Sequence, residues 1–250
     1  MILKKMLPSN VFLEVSDPRM LGGVVADELV ATAQFVKEDK GEVNICLSGG
    51  QTPLEAYRLL TLEPRKSEFP WDAVNFFIGD ERWAPTNPDL LNFSAINENL
   101  FSKIPTIKYF AWQGKDENEA RENFEKRLFQ KNIHLNGFDI LMLGLGEDGH
   151  IASLFPGSTI LNDFESLTAI SWDNKLKINR LTIAPKLIFN AKRIFVCIKG
   201  SSKAEIAKRL FLDDCSVTEL PAKLIFKVSC PITFFMDHSA AKFIQHLIQV

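Results

Sequence analysis

Nearly uninterrupted apolar runs, each followed by a glycine-rich or charged loop, recur along this chain. They fall at 43–47, within 71–78, at 140–143 and at 194–199. A strand that is apolar on both faces belongs inside a parallel sheet covered on both sides. Shorter strand candidates lie at 11–15, near 108–112 and at 232–236. Between them the spacing turns helical. Leu21, Val24, Val25, Leu29, Ala33 and Val36 mark one helix, with Asp17-Pro18 as its cap and first turn and 37–41 as its exit. Further helices are predicted over 54–60, 92–101, 118–130, 204–212 and 239–248, the last capped by Asp237. Residues 63–70 read as a polar connection and 84–89, with two prolines, as a loop. Alternation over 166–183 predicts two short antiparallel strands, 167–172 and 178–183.

Strands alternating with helices give an α/β class: a doubly wound, mostly parallel, Rossmann-like sheet with helices on both faces. No repeat, low-complexity segment or linker interrupts the pattern. One domain over 1–250 is expected, with a small antiparallel excursion around 160–180.

Four loops follow predicted buried strands, starting at Ser48, Gly79, Gly144 and Gly200. If all four strands are parallel, the loops share the carboxyl edge of the sheet, where open α/β sheets bind ligands. The chain is organised around the third of them, in 138–158. There the strand Ile140-Leu-Met-Leu143 runs into Gly144-Leu-Gly146-Glu-Asp148-Gly149-His150, and Pro156-Gly157 stops any helix soon after. His150 is either an acid/base in an anion pocket or a solvated histidine on a structural loop. The same glycines match a dinucleotide fingerprint, with Asp163 and Glu165 at a suitable distance. That fingerprint needs a long following helix, and Pro156 allows barely two turns.

Ser48-Gly49-Gly50-Gln51-Thr52-Pro53 resembles a phosphate cradle: free backbone N–H groups, two hydroxyls and a helix N-terminus. It lacks the lysine of a nucleoside-triphosphate loop. Arg82, after Asp80-Glu81, is suited to fork onto a phosphate, and Asp80 to orient or deprotonate a group. Lys203, in the first turn of a helix, and Arg180 are further candidate cations.

Composition narrows the class. The 250 residues are 46% apolar and 24% charged with a net charge of −2, which gives no reason to expect a nucleic-acid or membrane partner. The four cysteines are scattered, and Cys46 and Cys197 lie in strand-like runs, so neither a disulfide scaffold nor a metal cluster is indicated. Residues 1–8 lack an apolar signal segment and no apolar run approaches a membrane span, so the cytoplasm is the expected location. A serine-hydrolase elbow is absent around Ser48.

Taken in order, Leu47-Ser-Gly-Gly-Gln-Thr-Pro53, Gly79-Asp-Glu-Arg82, Leu143-Gly-Leu-Gly-Glu-Asp-Gly-His-Ile-Ala-Ser-Leu-Phe-Pro-Gly157 and the pair Arg180-Leu-Thr with Gly200-Ser-Ser-Lys203-Ala resemble the 6-phosphogluconolactonase family, which is related to the glucosamine-6-phosphate deaminases. The Ala152-Ser-Leu-Phe-Pro156 ending and Arg82 are lactonase-like. Gln51, Ile151 and Leu91-Asn92-Phe93 depart from the usual pattern, Ile151 toward the deaminases.

The resemblance implies hydrolysis of 6-phospho-D-glucono-1,5-lactone to 6-phosphogluconate in the pentose phosphate pathway, with no required cofactor; the His and Cys spacing suggests no metal. A phosphorylated sugar lactone is the expected partner and a monomer the expected state. The site then reads as His150 for the base, with Asp148 or Asp80 assisting. N–H groups within 144–149 would face the oxyanion, and Ser48, Gly49, Gly50, Thr52, Arg82, Lys203 and Arg180 the phosphate. The alternatives are an isomerising deaminase, which needs an acid/base where Leu154-Phe155 stand, and a phosphosugar-binding regulator without turnover.

Overall fold

The computed structural model describes residues 7–84 and 86–247. The expectation about a signal segment therefore lies largely outside the described residues, as does the end of the last expected helix.

Seven strands form the main sheet: β1 (Val11–Ser16), β2 (Val43–Leu47), β3 (Val74–Ile78), β5 (Lys108–Phe110), β6 (Ile140–Gly144), β9 (Ile194–Ile198) and β10 (Ile232–Asp237). Their order is β1-β10-β9-β6-β2-β3-β5, and every pairing is parallel. β3 and β9 are buried at every position, as their unbroken apolar runs require.

Aromatic pairs show why both faces are covered. Phe76 and Phe77 are neighbours on β3, so their rings leave opposite faces. Phe77 meets Phe124 of α5 (Glu117–Gln130) edge-on at 6.0 Å, whereas Phe76 meets Phe69 at 6.0 Å and Phe101 at 6.1 Å. Helices α1 (Leu21–Lys40), α2 (Gln51–Leu60), α3 (Arg65–Glu68) and α4 (Asn92–Asn99) pack among themselves, while α5 packs with α6 (Ile133–Asn136). α7 (Pro185–Phe189) and α8 (Ala204–Leu212) complete the set, and Phe211 of α8 packs edge-on against Phe234 of β10 at 4.9 Å. This is the expected doubly wound arrangement.

A second, three-stranded antiparallel sheet has the order β4-β8-β7. Its hairpin, β7 (Thr168–Asp173) and β8 (Ile178–Ile183), lies where alternation predicts it. Its third strand, β4 (Asp80–Arg82), replaces an expected loop. Gly79 makes the passage. Its N–H donates to Leu47 C=O in the main sheet at 2.8 Å, and its C=O accepts from Ile183 N–H in the small sheet at 2.9 Å. A Cβ at Gly79 would stand 2.9 Å from Cys46 Sγ, so only glycine lets the chain run this close to β2.

Other boundaries moved for local reasons. Asp17 accepts Arg19 N–H and closes a turn ahead of α1, which begins at Leu21 and runs to Lys40 before Gly41 takes a left-handed conformation. α2 starts at Gln51, three residues before its apolar face does. The connection at 63–70 contains α3. The expected helix at 239–248 is instead a series of turns ending in a 3-10 turn, Gln245–Leu247. Asp237 does accept Ala240 N–H at 2.8 Å, but the same oxygen also accepts Gly200 N–H at 3.0 Å. The cap is thus shared with the β9 loop. No described helix is long and apolar enough to cross a membrane.

Candidate active site

β9, β6, β2 and β3 are adjacent and parallel, so the loops that follow them share one edge. β6 lies between β9 and β2. The His150 loop is therefore flanked by the Gly200 loop on one side and the Ser48 loop on the other.

The His150 loop folds on itself. Gly146 N–H donates to His150 C=O at 2.9 Å and Gly149 N–H to Gly146 C=O at 3.0 Å. Both donors are engaged within the loop, which removes them from the oxyanion donors expected within 144–149. Asp148 Oδ1 accepts His150 N–H at 3.1 Å and lies 2.6 Å from His150 Nδ1. Burial works against the Asp148 charge. The hydrogen bond and charge of the His150 ring, together with backbone N–H groups, outweigh it and hold the carboxyl down to about 2. An ionised carboxylate only accepts, so Nδ1 is the nitrogen that donates to Asp148, and in the neutral imidazole Nε2 bears the lone pair. Among the described residues Nε2 has no protein partner. Phe155 packs on the other flank of the ring, with centroids 4.9 Å apart. After Gly149 come turns and a bridge between Ile151 and Leu154 rather than the helix a dinucleotide fingerprint needs.

Gly146 makes this ring position available. A Cβ there would stand 2.1 Å from His150 Nδ1 and 2.6 Å from Asp148 Oδ1. Gly146→Ala is therefore expected to lower kcat about 100-fold while Tm holds, since a misplacement near 1 Å carries a loss of that order. Steady-state kinetics beside thermal unfolding would check it; unchanged kcat would mean the ring position does not matter.

The Ser48 loop opens α2. Gly50, at φ 98°, is its N-cap. The N–H groups of Gly49, Gly50, Gln51 and Thr52 have no protein acceptor among the described residues. Ser48 Oγ is buried and equally without a partner. Orphaned donors of this kind at a helix N-terminus make a nest suited to an anion. Gly49 lies so close to Asn92 that a Cβ would stand 2.1 Å from its Oδ1.

Asn92 is the buried hub beside this nest, and sequence reasoning gave it no part. Its Oδ1 accepts from Arg82 Nη1 at 2.6 Å and its Nδ2 donates to Asp80 C=O at 2.8 Å. Glu81 accepts the N–H groups of Asn92, Phe93 and Arg82 and so ties α4 to β4. Burial, against those three donors, drives its carboxyl up to about 7. Arg82 is thereby held next to the nest and also donates to Leu90 C=O at 3.0 Å.

Asp80 and Arg180 are brought together, 100 residues apart in sequence, as a buried ion pair. Ser153 Oγ donates to the same Asp80 oxygen at 2.7 Å. Arg180 Nη1 donates to Asp173 Oδ2 at 3.1 Å, and Asp173 Oδ1 accepts Lys175 and Leu176 N–H groups at 2.9 Å each. A polar chain thus runs from the His150 loop through β4 and β8 to the tip of the β7–β8 hairpin. Asp80 touches this network and not His150. Arg180, faced by two carboxylates, reaches the site through them.

Lys203 stands half-buried at the start of α8. Burial pushes its ammonium down, the carboxylates of Glu147 and Asp148 act in the opposite sense, and Lys175 adds to the depression. Those influences place it beside the His150 loop. No group of three or more potential ligands for a metal occurs among the described residues.

A family model described as glucosamine-6-phosphate isomerases/6-phosphogluconolactonase matches residues 16–232. A 6-phosphogluconolactonase of Haemophilus influenzae is 31% identical over 222 residues, covering 87% of this chain and 93% of that protein. The crystal structure of a 6-phosphogluconolactonase from Thermotoga maritima superposes with a TM-score of 0.77 at 26% identity, covering 91% of this chain and 99% of that one. A monomeric glucosamine-6-phosphate deaminase also superposes at 0.77, with 23% identity over 93% of this chain and 99% of its own, a likeness of fold.

Proposed function

The chain belongs to the family of glucosamine-6-phosphate isomerases and 6-phosphogluconolactonases, and from that premise we propose that it hydrolyses 6-phospho-D-glucono-1,5-lactone with His150 as general base. It is an enzyme, a lactone hydrolase of the 6-phosphogluconolactonase type. The observation that supports this mechanism is the 2.6 Å contact of His150 Nδ1 with the Asp148 carboxylate, which in the neutral imidazole assigns the lone pair to Nε2.

Nε2 takes a proton from water as the water oxygen bonds to the lactone carbonyl carbon. Asp148 holds the ring in the right tautomer and offsets the imidazolium charge, acting through the ring as a positioning residue. The carbon–ring-oxygen bond then breaks, and the imidazolium returns its proton to the departing oxygen. One water is consumed and 6-phosphogluconate is released. N–H groups of the glycine loop other than those of Gly146 and Gly149 face the oxyanion; Glu147 N–H has no protein acceptor among the described residues.

Ser48, Gly49, Gly50 and Thr52 form the phosphate cradle, with Arg82 and Lys203 as its cations. Arg180 and Asp80 serve that site by fixing Ser153 and the hairpin. The reading carries a monomer as its state and, from the scattered cysteines and the lack of a long apolar run, the cytoplasm as its place.

The apolar Leu154, fully buried, and Phe155, against the His150 ring, occupy the place where a deaminase needs a second acid/base. The deciding experiment is lactone hydrolysis followed as NADPH formation by 6-phosphogluconate dehydrogenase, corrected for spontaneous opening. Clear acceleration is expected. Ammonia release from glucosamine 6-phosphate without lactone hydrolysis would overturn the reading, and phosphosugar binding without turnover would point to a regulator.

A further inference from the structure

The hydroxyl of Tyr57 is fully buried on α2, yet both of its hydrogen bonds go to one residue of the phosphate loop. It accepts Ser48 N–H at 3.2 Å and donates to Ser48 C=O at 3.0 Å. Burial, and then the nearby sulfur of Cys197, push this hydroxyl well above its ordinary range. It therefore stays a neutral phenol, the form that can donate and accept at once.

Ser48 is the point at which the chain leaves the sheet. The C=O of Leu47 is still taken by Gly79 N–H at 2.8 Å. One residue later the sheet offers no partner, and Tyr57 supplies both. The N–H groups of Gly49 to Thr52 that follow have no protein acceptor among the described residues. We infer that Tyr57 is a positioning residue for phosphate binding: its hydroxyl fixes the Ser48 peptide so that Ser48 Oγ and the N–H groups of Gly49 to Thr52 face a single anion. It also takes the Ser48 N–H out of the donor set, which defines where the nest begins. This rests on the reading that the Ser48 loop holds the substrate phosphate.

Phenylalanine would fill the same space, so a purely packing role predicts no effect on binding. Tyr57→Phe leaves two buried backbone groups unpaired and the loop free to turn. KM for the lactone is expected to rise about tenfold, and the inhibition constant of inorganic phosphate by the same factor, on the scale of one lost buried hydrogen bond. The kcat should stay within about twofold, because His150 lies on another loop.

Leu60→Ala, on the same helix, is the control for stability alone: it lowers Tm with KM and phosphate inhibition at wild-type values. Tyr57→Phe with unchanged KM and unchanged phosphate inhibition, while Ser48→Ala raises both, would overturn the role of Tyr57 alone. A fall in kcat and Tm in Tyr57→Phe with KM unmoved, as for a core defect, would do the same. Absence of phosphate competition in the wild-type enzyme would overturn the phosphate assignment and the Tyr57 role with it.

Discussion

His150→Ala is expected to lower kcat by about 10²- to 10⁴-fold, the span a positioned acid/base contributes, with KM within a few-fold of wild type. The reason is geometric. Nδ1 is engaged with Asp148, and Nε2 has no protein partner among the described residues. The fold should not suffer, since the ring is about 29% exposed and its one strong polar partner, Asp148, is about half exposed. With its carboxyl held down to about 2, Asp148 is ionised at neutral and mildly acidic pH, so a loss of activity over that range is not expected from its protonation. Turnover by His150→Ala equal to that of wild type, after correction for spontaneous opening, would remove the imidazole from the mechanism.

Arg180→Met should cost about 3–5 kcal/mol of stability, the usual result of removing one partner from a buried ionic cluster. Asp80 and Asp173 would be left with uncompensated charge inside the protein, and Ser153 would lose the anchored side of its partner. For a chain of this size a loss of that order lowers Tm by roughly 6–20 °C. Asp80→Asn added to Arg180→Met should recover part of it, because one stranded charge is gone. Thermal unfolding of the single and double variants gives the answer. A single variant within about 2 °C of wild type would show that the carboxylates find water or other partners.

Local pattern carried much of this protein. The strands β2, β3, β6 and β9 could be read because burial on both faces demands nearly continuous apolar residues, a signal contained within five positions. Glycines after those strands marked the loops, since close approach and positive φ leave few other choices. Gly50 and Gly149 are both in that region. The histidine and its neighbouring acid could be found together because they are two residues apart. The motif order also pointed to the family the chain belongs to.

What tertiary structure decided lies in contacts between distant segments. Asp80-Glu81-Arg82 is too polar to read as a strand, and it becomes one only because β8 offers a partner edge. The last expected helix has a good cap residue, but that carboxylate is shared with Gly200. Arg180 reads in sequence as a lone candidate cation for the phosphate; only the fold shows it buried next to two carboxylates. Tyr57 carries no local signature, and Asn92 only a place in a segment that departs from the family pattern; their positions at the Ser48 loop follow from how the helices pack. A pattern of residues fixes which segments bury their side chains and where the chain turns. It does not fix which polar atoms meet once those segments are packed, because that depends on distances set by the whole fold.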